Sequence, residues 1–185
     1  LAGYGLMYGW NPPDDHAMWS DFFFQVVFVA TAMSVVSGAV AERKKLWTFL
    51  LFTSIFTAFI YPIQGSWSWG GGWLSERGFY DFAGSGIVHL AGAAAALAGV
   101  LLLGPRIGKY DDDGSPKPIH GSNAAQVTLG TLILWMGWFG FNGGSQLAIS
   151  GFENANAVAK IFVNTNTAAA SGLLSAMVLA KFWLG

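Results

Sequence analysis

An all-α bundle of membrane-crossing helices is the fold these 185 residues predict, and three observations carry the prediction. Hydrophobic residues make up 54% of the chain and charged residues only 10%, against about 25% charged in an ordinary soluble domain, too few to cover a soluble surface. The apolar residues fall into blocks of about 20, the length a helix needs to cross roughly 30 Å of hydrocarbon. These blocks lack the alternation of a membrane strand, so helices are what satisfy their backbone in lipid.

Five spans follow in order. The first covers about 20–40 (SDFFFQVVFVATAMSVVSGAV) and ends at the basic run Arg43, Lys44, Lys45. The second, about 46–65, reads LWTFLLFTSIFTAFIYPIQG. The third, 83–104, is crowded with small residues: Gly84, Gly86, Gly92, Ala93 to Ala96 and Gly99. Such residues let helices approach closely in a membrane, which makes this helix central to a bundle. The fourth is 124–145 (AAQVTLGTLILWMGWFGFNGGS). The fifth, 157–180, has softer bounds because Lys160, Asn164, Thr165, Asn166 and Thr167 interrupt it. The opening GYGLMYGW reads as the tail of an apolar segment, with no signal peptide, and the end is equally abrupt. The chain is expected to be a single transmembrane domain over 1–185, cut from a longer protein.

Positive charge sets the expected orientation, because cytoplasmic loops collect Lys and Arg. Basic residues follow the first span (41–45), the third (Arg106, Lys109, Lys117) and the fifth (Lys181); the other connections hold only Arg77 and Lys160. Residues 41–45 and 105–123 are therefore expected in the cytoplasm, and 66–80 and 145–156 outside it. The loop 108–122 is turn-rich and expected to be mobile, and Asp111, Asp112 and Asp113 lack calcium-loop spacing and read as a solvated charge run. The net charge of −1 leaves no basic face for nucleic acid. With zero cysteines there is neither a disulfide framework nor a thiolate metal site, and no phosphate-binding loop or dinucleotide motif appears, so no cofactor or metal is expected. His16 and His120 lie in loops and are assigned no function.

His89 poses the chemical question. An ionisable side chain at membrane depth costs a few kcal/mol, so it faces a cavity, a partner or a permeant species unless a backbone carbonyl simply satisfies a neutral ring. Asp81 stands where the third helix should begin and reads first as a cap for its free N–H groups. Eight residues at 1.5 Å each put His89 about 12 Å below it. In the first span Phe24 and Phe28 share a face one turn apart, with Phe28 about as far below Asp21 as His89 is below Asp81. In the fourth, Phe141 and Ser145 are four apart, with Ser145 nearer the outside. Singly, Phe28 reads as packing, Ser145 as a bond to its own helix, and Trp69 equally as interfacial belt or site. Together, an aromatic face with a hydroxyl suits a small cation that has hydrogens to donate, rings below it block a hydrated ion, and a neutral imidazole deeper down can accept a proton.

In order along the chain, FFFQVVF…SGAVAER, WGGGW, DFAGSGIVH and GWFGFNGGS resemble the ammonium transporters of the Amt/Mep/Rh family, from the end of their second helix through their seventh. The resemblance implies part of an 11-helix inverted-repeat fold and a homotrimer with one pore per subunit, serving nitrogen uptake in the cell membrane. It implies no enzyme. Trp69, Phe28 and Ser145 match the external ammonium-recruitment site, Phe28 and Phe141 the paired phenyl gate, and Phe24 and Gln25 residues beside that gate. His89 matches the first of two pore histidines that share a hydrogen bond, and Asp81 a supporting aspartate. Ammonium would lose a proton near the gate, so that ammonia and a proton move inward and potassium is rejected. Membrane lipids and, on the cytoplasmic side, a PII-type regulatory protein are the implied partners. The competing readings are an ammonium sensor coupled to a C-terminal signalling domain, a gas channel of the Rh type, and an intramembrane hydrolase using Ser145, His89 and Asp81.

Overall fold

The computed structural model describes residues 2–9 and 17–184, all-α with no strand among them; His16 lies outside the described residues. The helices are α1 (Ala2–Tyr8), α2 (Met18–Ala39), α3 (Leu46–Ser66), the one-turn α4 (Trp73–Glu76), α5 (Ser85–Leu103), α6 (Ala124–Gly144) and α7 (Gly151–Leu184). Five of them, α2, α3, α5, α6 and α7, are long and apolar enough to cross a membrane. Contacts divide the chain into two compact units, Leu1–Ile119 and His120–Gly185.

The first unit is organised by the seam between α2 and α5. Gly92, Ala96 and Gly99 recur at helical spacing and present almost no side chain, so the backbones close in. A Cβ on Gly92 would stand 2.7 Å from the carbonyl oxygen of Ala32, and one on Gly99 2.7 Å from Val40. The facing residues Ala32, Val36 and Val40 are buried. At the far end of the seam the Arg43 guanidinium donates to the carbonyls of Ala39 and Gly104, tying the last turn of α2 to that of α5. Arg106 pairs with Glu42 at 2.5 Å beside it. Cations near helix C-termini also meet the negative end of the helix dipole.

Two long helices contain a wider, π-type turn. In α3 it covers Phe56–Ile60 and has a local cause. Pro62 lacks an N–H for the carbonyl of Ala58 and its ring crowds that carbonyl, so the turn before it opens. In α5 it is the first turn, Ser85–Leu90. The carbonyl of Gly84 accepts from both Val88 N–H at 2.9 Å and His89 N–H at 3.0 Å. Gly84 itself sits at φ +97°, a left-handed conformation that a Cβ would penalise.

The loop after α5 holds more order than its composition suggests. Tyr110 and Pro116 form an antiparallel bridge, Lys117 pairs with Asp111, and the Ser115 hydroxyl and N–H hold the Asp113 carboxyl below its usual range.

In the second unit Asn123 caps α6, its side chain accepting from Gln126 N–H at 3.0 Å. The helix packs on α7 through Gly143, against which the Phe162 ring lies flush, and through an Asn142 amide donating to Thr165 at 2.9 Å. α7 begins six residues before the 157 that hydropathy suggests and continues unbroken past the polar run. Its 34 residues amount to about 51 Å, well beyond roughly 30 Å of hydrocarbon. Its ends therefore lie in the interface or water, where polar residues such as Glu153 and Asn154 cost nothing to keep helical. Lys160 consequently stands about two and a half turns inside the helix rather than at its start.

Candidate functional site

The first unit gathers Phe24, Phe28, Trp69, Asp81 and His89 into one connected set. Phe24 and Phe28, one turn apart on α2, stack with ring centroids 4.2 Å apart. Phe28 is 1% exposed and meets Trp69 edge to face at 5.9 Å. Trp69 leaves the helix at the end of α3 in a glycine-rich turn, and its indole Nε1 donates to the Asp81 carbonyl at 2.7 Å. Its donor is thus committed, and what the side chain offers elsewhere is the electron-rich ring. Trp67 and Trp73 behave differently. They pair with each other at 5.8 Å and are 40% and 46% exposed, as residues of an interfacial belt would be.

The Asp81 carboxylate is buried and accepts four backbone N–H groups, those of Gly84 and Ser85 on Oδ1 at 2.9 Å and those of Gly86 and Ile87 on Oδ2 at 2.8 Å. These are the orphan donors of the first turn of α5, gathered by one side chain. His89 is the fifth residue of that π-turn. Its Nδ1 lies 3.2 Å from the Gly84 carbonyl, which already accepts two N–H groups. A carbonyl only accepts, so Nδ1 is the donor in that contact.

Gln25 is turned to α1: its amide donates to the Tyr8 hydroxyl at 2.7 Å while its buried Oε1 has no hydrogen-bond partner among the described residues. Phe141 and Ser145 belong to the second unit. There Ser145 Oγ donates to the Phe141 carbonyl at 2.9 Å, and Phe141 packs on Trp138 at 6.3 Å. Spending its hydrogen on the backbone leaves the serine oxygen as an acceptor, the role a cation's N–H requires.

One residue that sequence reasoning passed over is Gln64. Its amide donates 2.8 Å to the carbonyl of Ile87, inside the π-turn that carries His89. The available signal was a glutamine two residues past a proline within an apolar span, a polar group at membrane depth that must find a partner.

Five helices long and apolar enough to cross a membrane, one of them opening on a buried carboxylate and carrying a half-buried imidazole, define a polytopic membrane protein. The chain belongs to the Ammonium Transporter Family, whose model it matches over residues 5–183. It is 50% identical to ammonium transporter Amt2 of Archaeoglobus fulgidus over 173 residues, covering 88% of this chain and 36% of that one. Against ammonium transporter 1 member 1 of Arabidopsis thaliana it is 37% identical over 193 residues, 92% of this chain and 38% of the relative. Among solved structures it resembles one described as a sensor Amt protein, with 40% identity and a TM-score of 0.88, covering 98% of this chain and 49% of that one. The chain therefore spans between about a third and a half of the length of these relatives.

Proposed function

We propose that this chain contributes the outer recruitment site, part of the phenyl gate and the first pore histidine of a protein that moves ammonium or ammonia across the cell membrane. The observation that carries the reading is the connected series Phe28, Trp69, Asp81 and, through the backbone of Gly84, His89. It runs from an aromatic surface, through a carboxylate that fixes a helix start, to an imidazole. Ammonium is recruited against Trp69 and Phe28, with Ser145 accepting one of its hydrogens, and Phe28 and Phe141 form the gate. Cation–π attraction of up to about 2 kcal/mol in a dry site holds the ion, and the rings refuse its water shell. A proton given up near the gate lets neutral ammonia enter, and His89 receives or relays the proton. Potassium, with nothing to donate, stops above the rings. Phe24 and Gln25 line the approach to the gate. The assembly is a homotrimer with residues 66–80 outside and 105–123 inside, where a PII-type protein regulates it.

The likeness to a structure described as a sensor favours one second reading, in which the same site binds ammonium and a further domain reports its occupancy. The test is an ammonium jump applied to liposomes holding the full chain that contains this segment, with potassium as control. Transport predicts a current for ammonium alone, with conduction or selectivity altered by His89→Ala. Saturable ammonium binding without flux would replace transport by sensing, and unchanged uptake and potassium exclusion in the alanine variant would remove His89 from the mechanism.

A further inference from the structure

On the face of the first unit away from His89, a groove of about 850 Å³ runs between α3 and α5, floored by the end of α2. Ala94 and Ala98 line it, about half a turn round α5 from His89, and Phe52 and Phe56 form the opposite wall. Along α3 it extends from Thr48 to Gln64, about 24 Å, longer than the roughly 15 Å of hydrocarbon in one leaflet. Ala91, Ala94, Ala95 and Ala98 on the α5 wall face the aromatic rings of the α3 wall.

One end of the trough is cationic. Arg43, Lys44 and Lys45 all line it. Arg43 is held by two neutral carbonyls, and Lys44 lies over the Phe49 ring at 3.3 Å with the Ser37 carbonyl at 3.4 Å, so neither charge is neutralised by its contacts. The neighbouring carboxylate, Glu42, is taken by Arg106. Lys45 makes no ion pair among the described residues. An apolar slot of leaflet depth that opens onto three uncompensated cations is complementary to one kind of molecule. It must carry an anion at one end and hydrocarbon at the other.

We infer that this groove is a binding site for an acidic phospholipid, with its phosphate between Arg43, Lys44 and Lys45 and an acyl chain laid along α3 and α5. The inference concerns the side of α5 opposite the histidine and does not depend on what the pore conducts. A bound lipid would brace α3 against α5, whose link by Gln64 and Ile87 lies at the groove's other end.

The test is native mass spectrometry of the full chain in detergent, titrated with phosphatidic acid or phosphatidylcholine of matched acyl chains. Expected is at least a fivefold preference for phosphatidic acid, lost both in the Lys44→Gln/Lys45→Gln variant and in Ala98→Phe, which fills the trough without touching charge. Lys109→Gln, in the loop beyond α5, should keep the preference. Glycerol 3-phosphate at equal concentration should not displace the lipid. Undiminished preference in both groove variants would overturn the proposal. So would competition by glycerol 3-phosphate, which would mark a site for free phosphate esters, or crosslinking of a photoreactive residue at position 94 to protein rather than lipid, which would mark a helix or a second copy as the occupant. If Ala98→Phe fails to fold, the Lys44→Gln/Lys45→Gln variant still decides the question.

Discussion

Asp81 concentrates more structure than any other side chain of the site. Four N–H groups converge on one carboxylate, and replacement by Asn keeps the size while turning one of its two acceptor atoms into a donor. Two backbone donors would then be orphaned at about 1–3 kcal/mol each, so Asp81→Asn should lower stability by about 2–6 kcal/mol. Because His89 hangs from the same turn, the loss should reach function. Thermal unfolding of the full chain in detergent and ammonium current in liposomes should fall together, whereas a normal melt with a lost current would mean that Asp81 acts on the ion itself. Capping was legible in the sequence, since an aspartate before a small-residue helix has few other uses. The π-turn was not. A run such as GSGIVHL carries no signal that distinguishes a carbonyl with one N–H partner from one with two, and that difference sets where the imidazole stands. Ser145 illustrates the same limit: its spacing from Phe141 predicts the backbone bond it makes, and says nothing of what its oxygen meets.

Among the elements, α2 and α5 owe their packing to absent side chains. The stripe Gly92, Ala96, Gly99 was readable because glycine and alanine at helical spacing in an apolar helix have one economical use, close approach to a neighbour. Gly92→Leu would drive a branched side chain into a carbonyl 2.7 Å from the first added carbon, and the helices must separate or rotate. Overpacking of this kind costs typically about 1–3 kcal/mol. A clear drop in melting temperature is expected, against little change for Gly38→Ala, where a Cβ meets nothing within 4 Å. Equal behaviour of the two would mean that the seam does not hold α2 and α5. α7 shows what hydropathy cannot give. The polar residues 164–167 weaken the apolar signal, but the two threonines among them are satisfied within the unit, Thr165 by Asn142 and Thr167 by the carbonyl of Val163 at 2.8 Å. The helix continues because its backbone bonds do not depend on the polarity of the surface above them.

At the scale of the whole molecule, the functional reading stands on orientation. A recruitment site built from Trp69 works from the outside only if the connection 66–80 is outside, and the argument for that is the distribution of charge. In the first unit Arg43, Arg106 and Glu42 meet at one end, the end of α2 and of α5, while the Trp69 turn is joined to the start of α5 through Asp81. The basic residues and the candidate mouth are therefore at opposite ends of α5, a helix of 19 residues or about 29 Å. Which end meets the cytoplasm can be measured directly: these 185 residues contain no cysteine, and in a full chain with any other cysteine replaced a single introduced thiol reports its own side. Ser75→Cys, Ile149→Cys and Ser115→Cys place thiols at exposed positions. In right-side-out vesicles a membrane-impermeant maleimide should label positions 75 and 149 and spare 115, and inside-out vesicles should reverse the pattern. Labelling of Ser115→Cys from outside would invert the chain. Trp69 and Phe28 would then guard the cytoplasmic mouth, and recruitment of external ammonium by this aromatic site would have to be abandoned, whatever current the protein carried.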